Sequence, residues 1–85
     1  MNKDPDSSSL DPTILIDMVN WKMPYGRFKG RLICDLPIEY LIWIKKKGGF
    51  PKGRLGVLMA EVHEMKYNDL YNLIWDLKKR YNKNK

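Results

Sequence analysis

Cysteine and histidine are the scarce residues of this 85-residue chain: Cys34 and His63 occur once each. A single cysteine excludes an internal disulfide and any zinc site built from thiolates, and it fits a reducing compartment. A single histidine with nothing to orient it leaves no Ser–His–Asp or Cys–His constellation for nucleophilic catalysis. Long apolar runs are also missing. The longest is Tyr40 to Ile44, far short of the ~20 residues a membrane helix needs. The first ten residues carry Asp4, Asp6 and three serines instead of a basic segment followed by an apolar one, so no signal peptide is expected. The expectation is a soluble cytoplasmic protein with no membrane contact, no metal, no cofactor and no enzymatic activity.

What is present is a supply of large apolar side chains. The chain is 44% hydrophobic, with three Trp, five Tyr and two Phe, which argues for a folded core and against disorder. The length suits one domain, and a domain this small has little core to spare. The expected division is a flexible tail over 1–9, a single compact domain over 10–81 and a basic tail over 82–85. The net charge of +6 is placed unevenly: −3 from Met1 to Trp21, +7 from Lys22 to Arg54 and +2 over the remainder. The middle third, which also holds the glycines, therefore carries a local positive field of the kind that phosphates or acidic partners respond to. A solvated, lysine-rich surface is the plain alternative.

Asp11-Pro12 signals a helix start, with Asp as N-cap and Pro in the first turn. Ile14, Leu15, Met18 and Trp21 then share one face, so a short helix to about Asn20 is expected. From Lys22 to Ile33 apolar and cationic residues interleave, and Lys29-Gly30 suits a tight turn in which Gly takes positive φ. This reads as a two-stranded hairpin, about Met23–Phe28 and Arg31–Ile33. A second helix opens at Asp35-Leu36-Pro37, with Asp35 near the N-cap, and stops at Gly48-Gly49. A third is expected over about Arg54 to Lys66. A fourth is expected after an Asn68 or Asp69 cap, with Leu70, Leu73, Ile74 and Leu77 as its stripe. The fold class is thus α+β: a small hairpin packed against three to four short helices.

Two segments could carry binding. Tyr25, Arg27, Phe28, Lys29, Gly30 and Arg31, with Lys22 before them, set aromatic rings among cations, which suits bases that stack and phosphates that pair with charge. Strand alternation sends Phe28 to the core and leaves Lys29 and Arg31 available. Gly48 to Leu55 nearly matches a phosphate-binding P-loop, but Arg54 stands in place of the lysine and Leu55 in place of the magnesium-binding hydroxyl. What remains there is an anion site at Lys52, Gly53 and Arg54 ahead of a helix, or a plain interhelical turn. Glu61 and Glu64 read as a solvated helix face, and His63 as a half-exposed structural residue. Tyr67, Tyr71 and Trp75 recur at i, i+4, i+8 on the last helix. They either widen the core face or form an exposed patch for a protein partner.

Met23-Pro24-Tyr25-Gly26-Arg27-Phe28-Lys29-Gly30, then Asp35-Leu36-Pro37, Tyr40-Leu41, Trp43 and Gly49-Phe50-Pro51-Lys52-Gly53-Arg54-Leu55-Gly56 resemble a bacterial family of small proteins labelled quorum-sensing-regulated virulence factors. The resemblance spans about Leu10 to Leu73, and the label names a regulatory association without a mechanism. The first half also looks like the C-terminal module that follows the nuclease domain in exodeoxyribonuclease X-like proteins, where it is thought to help engage DNA. That resemblance points to Arg27, Lys29, Gly30 and Arg31, and after them to Trp43. It implies an accessory binding role only, because the acidic nuclease domain is missing here.

Two functional readings follow. The first is a non-catalytic nucleic-acid-binding accessory module of low sequence specificity. It would take single strands or duplex and contact phosphates through Lys22, Arg27, Lys29, Arg31, Lys52 and Arg54, with Tyr25 stacking. The second is a protein–protein interaction module or small adaptor, possible as a homodimer, using Tyr67, Tyr71 and Trp75. Exposure of those three rings would favour the second.

Overall fold

Asp11 begins the described part of the chain: the computed structural model describes residues 11–83. The tail expected over 1–9 lies outside them. Asp11 accepts hydrogen bonds from Thr13 N at 2.9 Å and Thr13 Oγ1 at 2.7 Å, the cap geometry expected of an Asp-Pro start. Those bonds hold its carboxyl below the usual carboxylate range. Helix α1 runs Pro12–Met18, a 3₁₀ turn covers Ile33–Asp35, and α2 runs Ile38–Lys47. Helix α3 runs Arg54–Tyr67 and α4 runs Tyr71–Tyr81.

The fold is all-α, which corrects the expectation of an α+β domain. The segment 22–32 does double back, but among the described residues it forms no strand, only one isolated antiparallel bridge between Lys22 and Leu32. The physical reason lies in Pro24 and the glycines. Pro24 has no N–H to give to a ladder, and residues 25–31 close tight turns instead. Lys29 N donates to Gly26 O at 3.2 Å and Arg31 N to Phe28 O at 3.0 Å. Gly26 and Gly30 take φ of 83° and 91°, a region that L side chains rarely adopt. Two flanking bonds, Met23 N to Arg31 O at 2.7 Å and Gly30 N to Met23 O at 2.8 Å, lash the base of the loop.

Two caps differ from expectation. Asp35 does not cap α2: Pro37 holds that position, with no side-chain cap, and Asp35 ends the 3₁₀ turn. Neither Asn68 nor Asp69 caps α4, whose N-cap is Leu70. The Asn68 amide reaches back to Glu64 O at 2.8 Å, and Asp69 sits at φ 61°. This left-handed residue breaks the helical register between α3 and α4.

Helix α3 is the centre of the domain and packs on α1, the 3₁₀ turn, α2 and α4. Leu58, Met59 and Val62 of α3 are fully buried, together with Met18 of α1, Leu41 of α2, and Ile33 and Leu36. Ile74 and Leu77 bring α4 onto this core, but Leu70 and Leu73 of the expected stripe are exposed. Asn20, Asn82 and Lys83 tie the two ends together. Asn20 Nδ2 donates to Tyr81 O at 2.9 Å, Lys83 N donates to Asn20 Oδ1 at 2.8 Å, and Asn82 Nδ2 donates to Val19 O. Among the described residues no helix is long and apolar enough to cross a membrane.

Candidate functional site

The 25–31 loop projects Phe28 toward α2, where it is half-buried against the core. Tyr40 meets it edge-on, with centroids 4.7 Å apart and planes at 71°. On α2, residues three apart share a face, so Trp43 follows Tyr40 along the same side, 6.3 Å away and 20° from parallel. The outcome is a ladder of three rings, Phe28–Tyr40–Trp43, whose outer member is 56% exposed. One turn further on, Lys47 brings Nζ to 5.6 Å from the Trp43 ring. At the other end, the guanidinium groups of Arg27 and Arg31 lie 5.6 and 5.4 Å from the Phe28 centroid.

The rings line an open groove of about 610 Å³ between the loop and the first turns of α2, with Gly26, Pro37 and Glu39 completing its walls. Gly26 matters here for its backbone: a Cβ at this position would stand 3.6 Å from the Tyr40 hydroxyl, in a conformation that strains any L side chain. A mostly apolar cleft with a few charged groups at its edge is the common form of a binding site. Arg27 lines this cleft, and Arg31 and Lys47 lie over the outer rings of the ladder.

The expected site residues are distributed as follows. Arg27, Lys29, Gly30 and Arg31 are exposed on the loop, Lys22 is exposed beside the bridge, and Tyr25 is 52% exposed. Lys52 and Gly53 lie exposed in the turn before α3. Arg54 is committed elsewhere: Nε and Nη2 donate to Asp17 Oδ2 at 3.1 and 2.8 Å, and Nη2 also donates to Thr13 Oγ1 at 3.1 Å. It pins the start of α3 to α1. The sequence reading missed Tyr40 and Lys47 as members of a site. Trp43 entered only through the resemblance, and the spacing Tyr40, Trp43, Lys47 carries no binding signal until the loop lies against α2.

The expected stripe Tyr67, Tyr71, Trp75 does not lie on one helix. Tyr67 ends α3 and stacks on His63 at 5.7 Å, and the left-handed turn at Asp69 then separates it from the other two. All three rings are exposed, by 70%, 45% and 59%. Tyr71 and Trp75 flank a second, shallower hollow of about 380 Å³ with Cys34, Asp35, Lys66 and Lys78. It holds one carboxylate against two lysines, and Lys66 and Lys79 also bring Nζ to 5.6 and 5.9 Å from the Tyr71 and Trp75 rings. Lys78 Nζ sits 3.0 and 2.9 Å from the two Asp35 oxygens, which raises the Lys78 pKa. Lys66 Nζ donates to Leu36 O at 2.7 Å, and burial lowers its pKa. Burial, then the Asp35 charge, pushes the Cys34 thiol up to about 11.

His63 is buried between the rings of Phe50 and Tyr67, more enclosed than its expected half-exposed place. Burial, then the neighbouring charge of Glu64, raises the pKa of Glu61. No group of three His, Cys, Asp or Glu side chains able to hold a metal occurs among the described residues.

Fold and groove together define a small all-α domain presenting an aromatic ladder edged with cations. The model of a family described as "Putative quorum-sensing-regulated virulence factor" matches residues 11–77, and the chain belongs to that family. It is 45% identical over 65 residues to the protein titled "Uncharacterized protein YpeB" of Escherichia coli strain K12, a match covering 76% of this chain and 90% of that one. The protein of the same title from Escherichia coli O157:H7 gives the same figures. No solved structure matches the chain.

Proposed function

We propose that this domain is a non-catalytic accessory module that binds single-stranded nucleic acid in the groove between the 25–31 loop and α2. The observation that carries the reading is the Phe28–Tyr40–Trp43 ladder bracketed by Arg27 and Arg31 at one end and Lys47 at the other. Trp43, the exposed ring of the ladder, offers a face on which any base can stack, and cations along the same line pair with the phosphates between bases. The dense positive charge of the middle third favours a polyanion over a neutral ligand. Arg54 has no part in this contact, because Asp17 already holds it.

Fluorescence anisotropy tests the reading with labelled single-stranded DNA, duplex DNA and RNA at two salt concentrations. Contact through Arg27, Lys29, Arg31 and Lys47 gives a log–log salt slope of about −3 for single strands. Binding that is undetectable at micromolar protein, or indifferent to salt, rejects the proposal.

A second reading has its own support. All three of Tyr67, Tyr71 and Trp75 are exposed, the outcome expected to favour a protein partner or a homodimer. Light scattering after size exclusion distinguishes the two: a monomer at micromolar concentration removes the homodimer, and a dimer whose mass falls to the monomer's on Trp75→Ala supports it.

A further inference from the structure

Among the described residues, Glu39 is the one acidic side chain lining the groove. It is exposed, and no hydrogen bond or ion pair engages it among the described residues. It sits in the first turn of α2, four residues before Trp43 and so on the same helical side, and both line the cleft, while its charge also acts through space on Lys66. Its position by itself is favourable to the helix dipole, but that benefit does not require it to face the ladder. In a groove read as an anion site a free carboxylate works against affinity, unless it recognises something that accompanies the phosphates.

We infer that Glu39 makes this groove a guanine subsite, an inference that rests on the nucleic-acid reading above. A carboxylate only accepts hydrogen bonds, so it selects edges that present donors side by side. Guanine alone does so on its Watson–Crick edge, with N1–H beside the N2 amino group. Adenine and cytosine place a ring-nitrogen lone pair next to their amino group, and thymine and uracil flank their single N–H with two carbonyls. Each of those lone pairs repels the second carboxylate oxygen. A base stacked on the exposed face of Trp43 would turn its edge toward Glu39 while Arg27 and Lys47 hold the flanking phosphates. Reading of single-stranded bases by their Watson–Crick edges is a common mode of recognition.

The test uses the full chain and six-residue thymidine oligomers carrying one central guanine, inosine, adenine or cytosine, with affinity read from anisotropy and from quenching of tryptophan fluorescence. Inosine keeps N1–H and lacks the N2 amino group. The guanine oligomer is expected to bind about tenfold more tightly than the adenine and cytosine oligomers, the discrimination that a bidentate contact to a base edge supplies, with inosine between them. Glu39→Gln abolishes the preference, so that the guanine, adenine and cytosine oligomers bind alike. If native protein binds the four oligomers equally, or if E39Q keeps the preference, the subsite is overturned and the nucleic-acid reading stands. If no oligomer binds, the nucleic-acid reading fails and takes the subsite with it. The inosine comparison on native protein keeps the test decisive should E39Q fold poorly.

Discussion

Gly56→Ala should be among the most damaging single-methyl changes this domain can suffer. Gly56 is buried in the first turn of α3, and a Cβ built there falls 1.7 Å from Pro51 O and 2.8 Å from Pro51 C. Neither neighbour is a side chain that can rotate away; both belong to the backbone of the turn that feeds α3. Relief requires Pro51 to retreat by more than an ångström. It would take Phe50 with it, which packs against the core and lies 5.8 Å from the His63 ring. In an unobstructed helix the same substitution gains about 1 kcal/mol. Overpacking of this kind costs about 1–3 kcal/mol and occasionally more, and here the displaced group is backbone. A net loss of about 2 kcal/mol is expected, a large share of the roughly 5–15 kcal/mol that hold a small domain together. The melting temperature should fall by about 10 °C. Urea titration and thermal scans followed by circular dichroism measure both. Gly30→Ala is the control: its φ is 91° with nothing within 4 Å of the added methyl, so only the left-handed penalty of about 1 kcal/mol applies. A Gly56→Ala protein as stable as native, or more stable, refutes the reasoning, because it means the Pro51 carbonyl yields freely.

Three further outcomes follow from the same geometry. Arg54→Ala removes the link to Asp17 and Thr13 and should lower stability by about 0.5–1 kcal/mol, since both partners are partly exposed, while oligomer affinity changes less than twofold by anisotropy. Trp43→Ala should leave the urea midpoint nearly unchanged and weaken single-strand binding by about tenfold, the loss of one stacked base. Cys34 is 1% exposed and its thiol is raised from 9.0 to about 11. The stability this contributes is therefore complete below pH 9 and lost as pH rises through 11, by at most about 3 kcal/mol. The raised Lys78 acts in the same direction and the lowered Lys66 against it. The urea midpoint between pH 8 and 10.5 should fall more steeply for native protein than for Cys34→Ala, and equal slopes contradict the assignment.

The helices were legible because their signals are local. Asp11-Pro12 opens α1 and Gly48 closes α2, as dipeptide chemistry dictates. The hairpin was misjudged because alternating apolar and cationic residues also describe a loop whose glycines close successive turns, and Pro24 weighed less in the reading than it does in the ladder. Asp35 looked like a cap because a cap needs only sequence neighbours. Its actual partner, Lys78, is 43 residues away, a distance that no local pattern reveals. The groove was half visible for the same reason. Arg27, Phe28 and Arg31 stood out in their own segment, whereas Tyr40, Trp43 and Lys47 gain meaning only when the loop lies against α2.

The structure also sorts the cations, and the sorting bears on function. Among the described residues, Arg54 and Lys78 are the cations in ion pairs, and each pair fastens one element to another: α3 to α1, and α4 to the 3₁₀ turn. Arg27, Arg31 and Lys47 contact aromatic faces instead, as Lys66 and Lys79 do at Tyr71 and Trp75. An aromatic face holds a cation by about 0.5–1 kcal/mol at exposed sites and leaves its formal charge in place. A carboxylate would cancel that charge. The groove cations are therefore positioned by the rings yet still project a field, and a phosphate can recruit them without first breaking a salt bridge. Salt must act on this field first, since exposed charges are screened within a Debye length of about 8 Å at physiological ionic strength. The buried apolar core around α3 is untouched by such screening. If the groove holds a strand as proposed, raising salt should therefore release it well before it disturbs the fold, and the two transitions should be separable by following anisotropy and circular dichroism on the same sample.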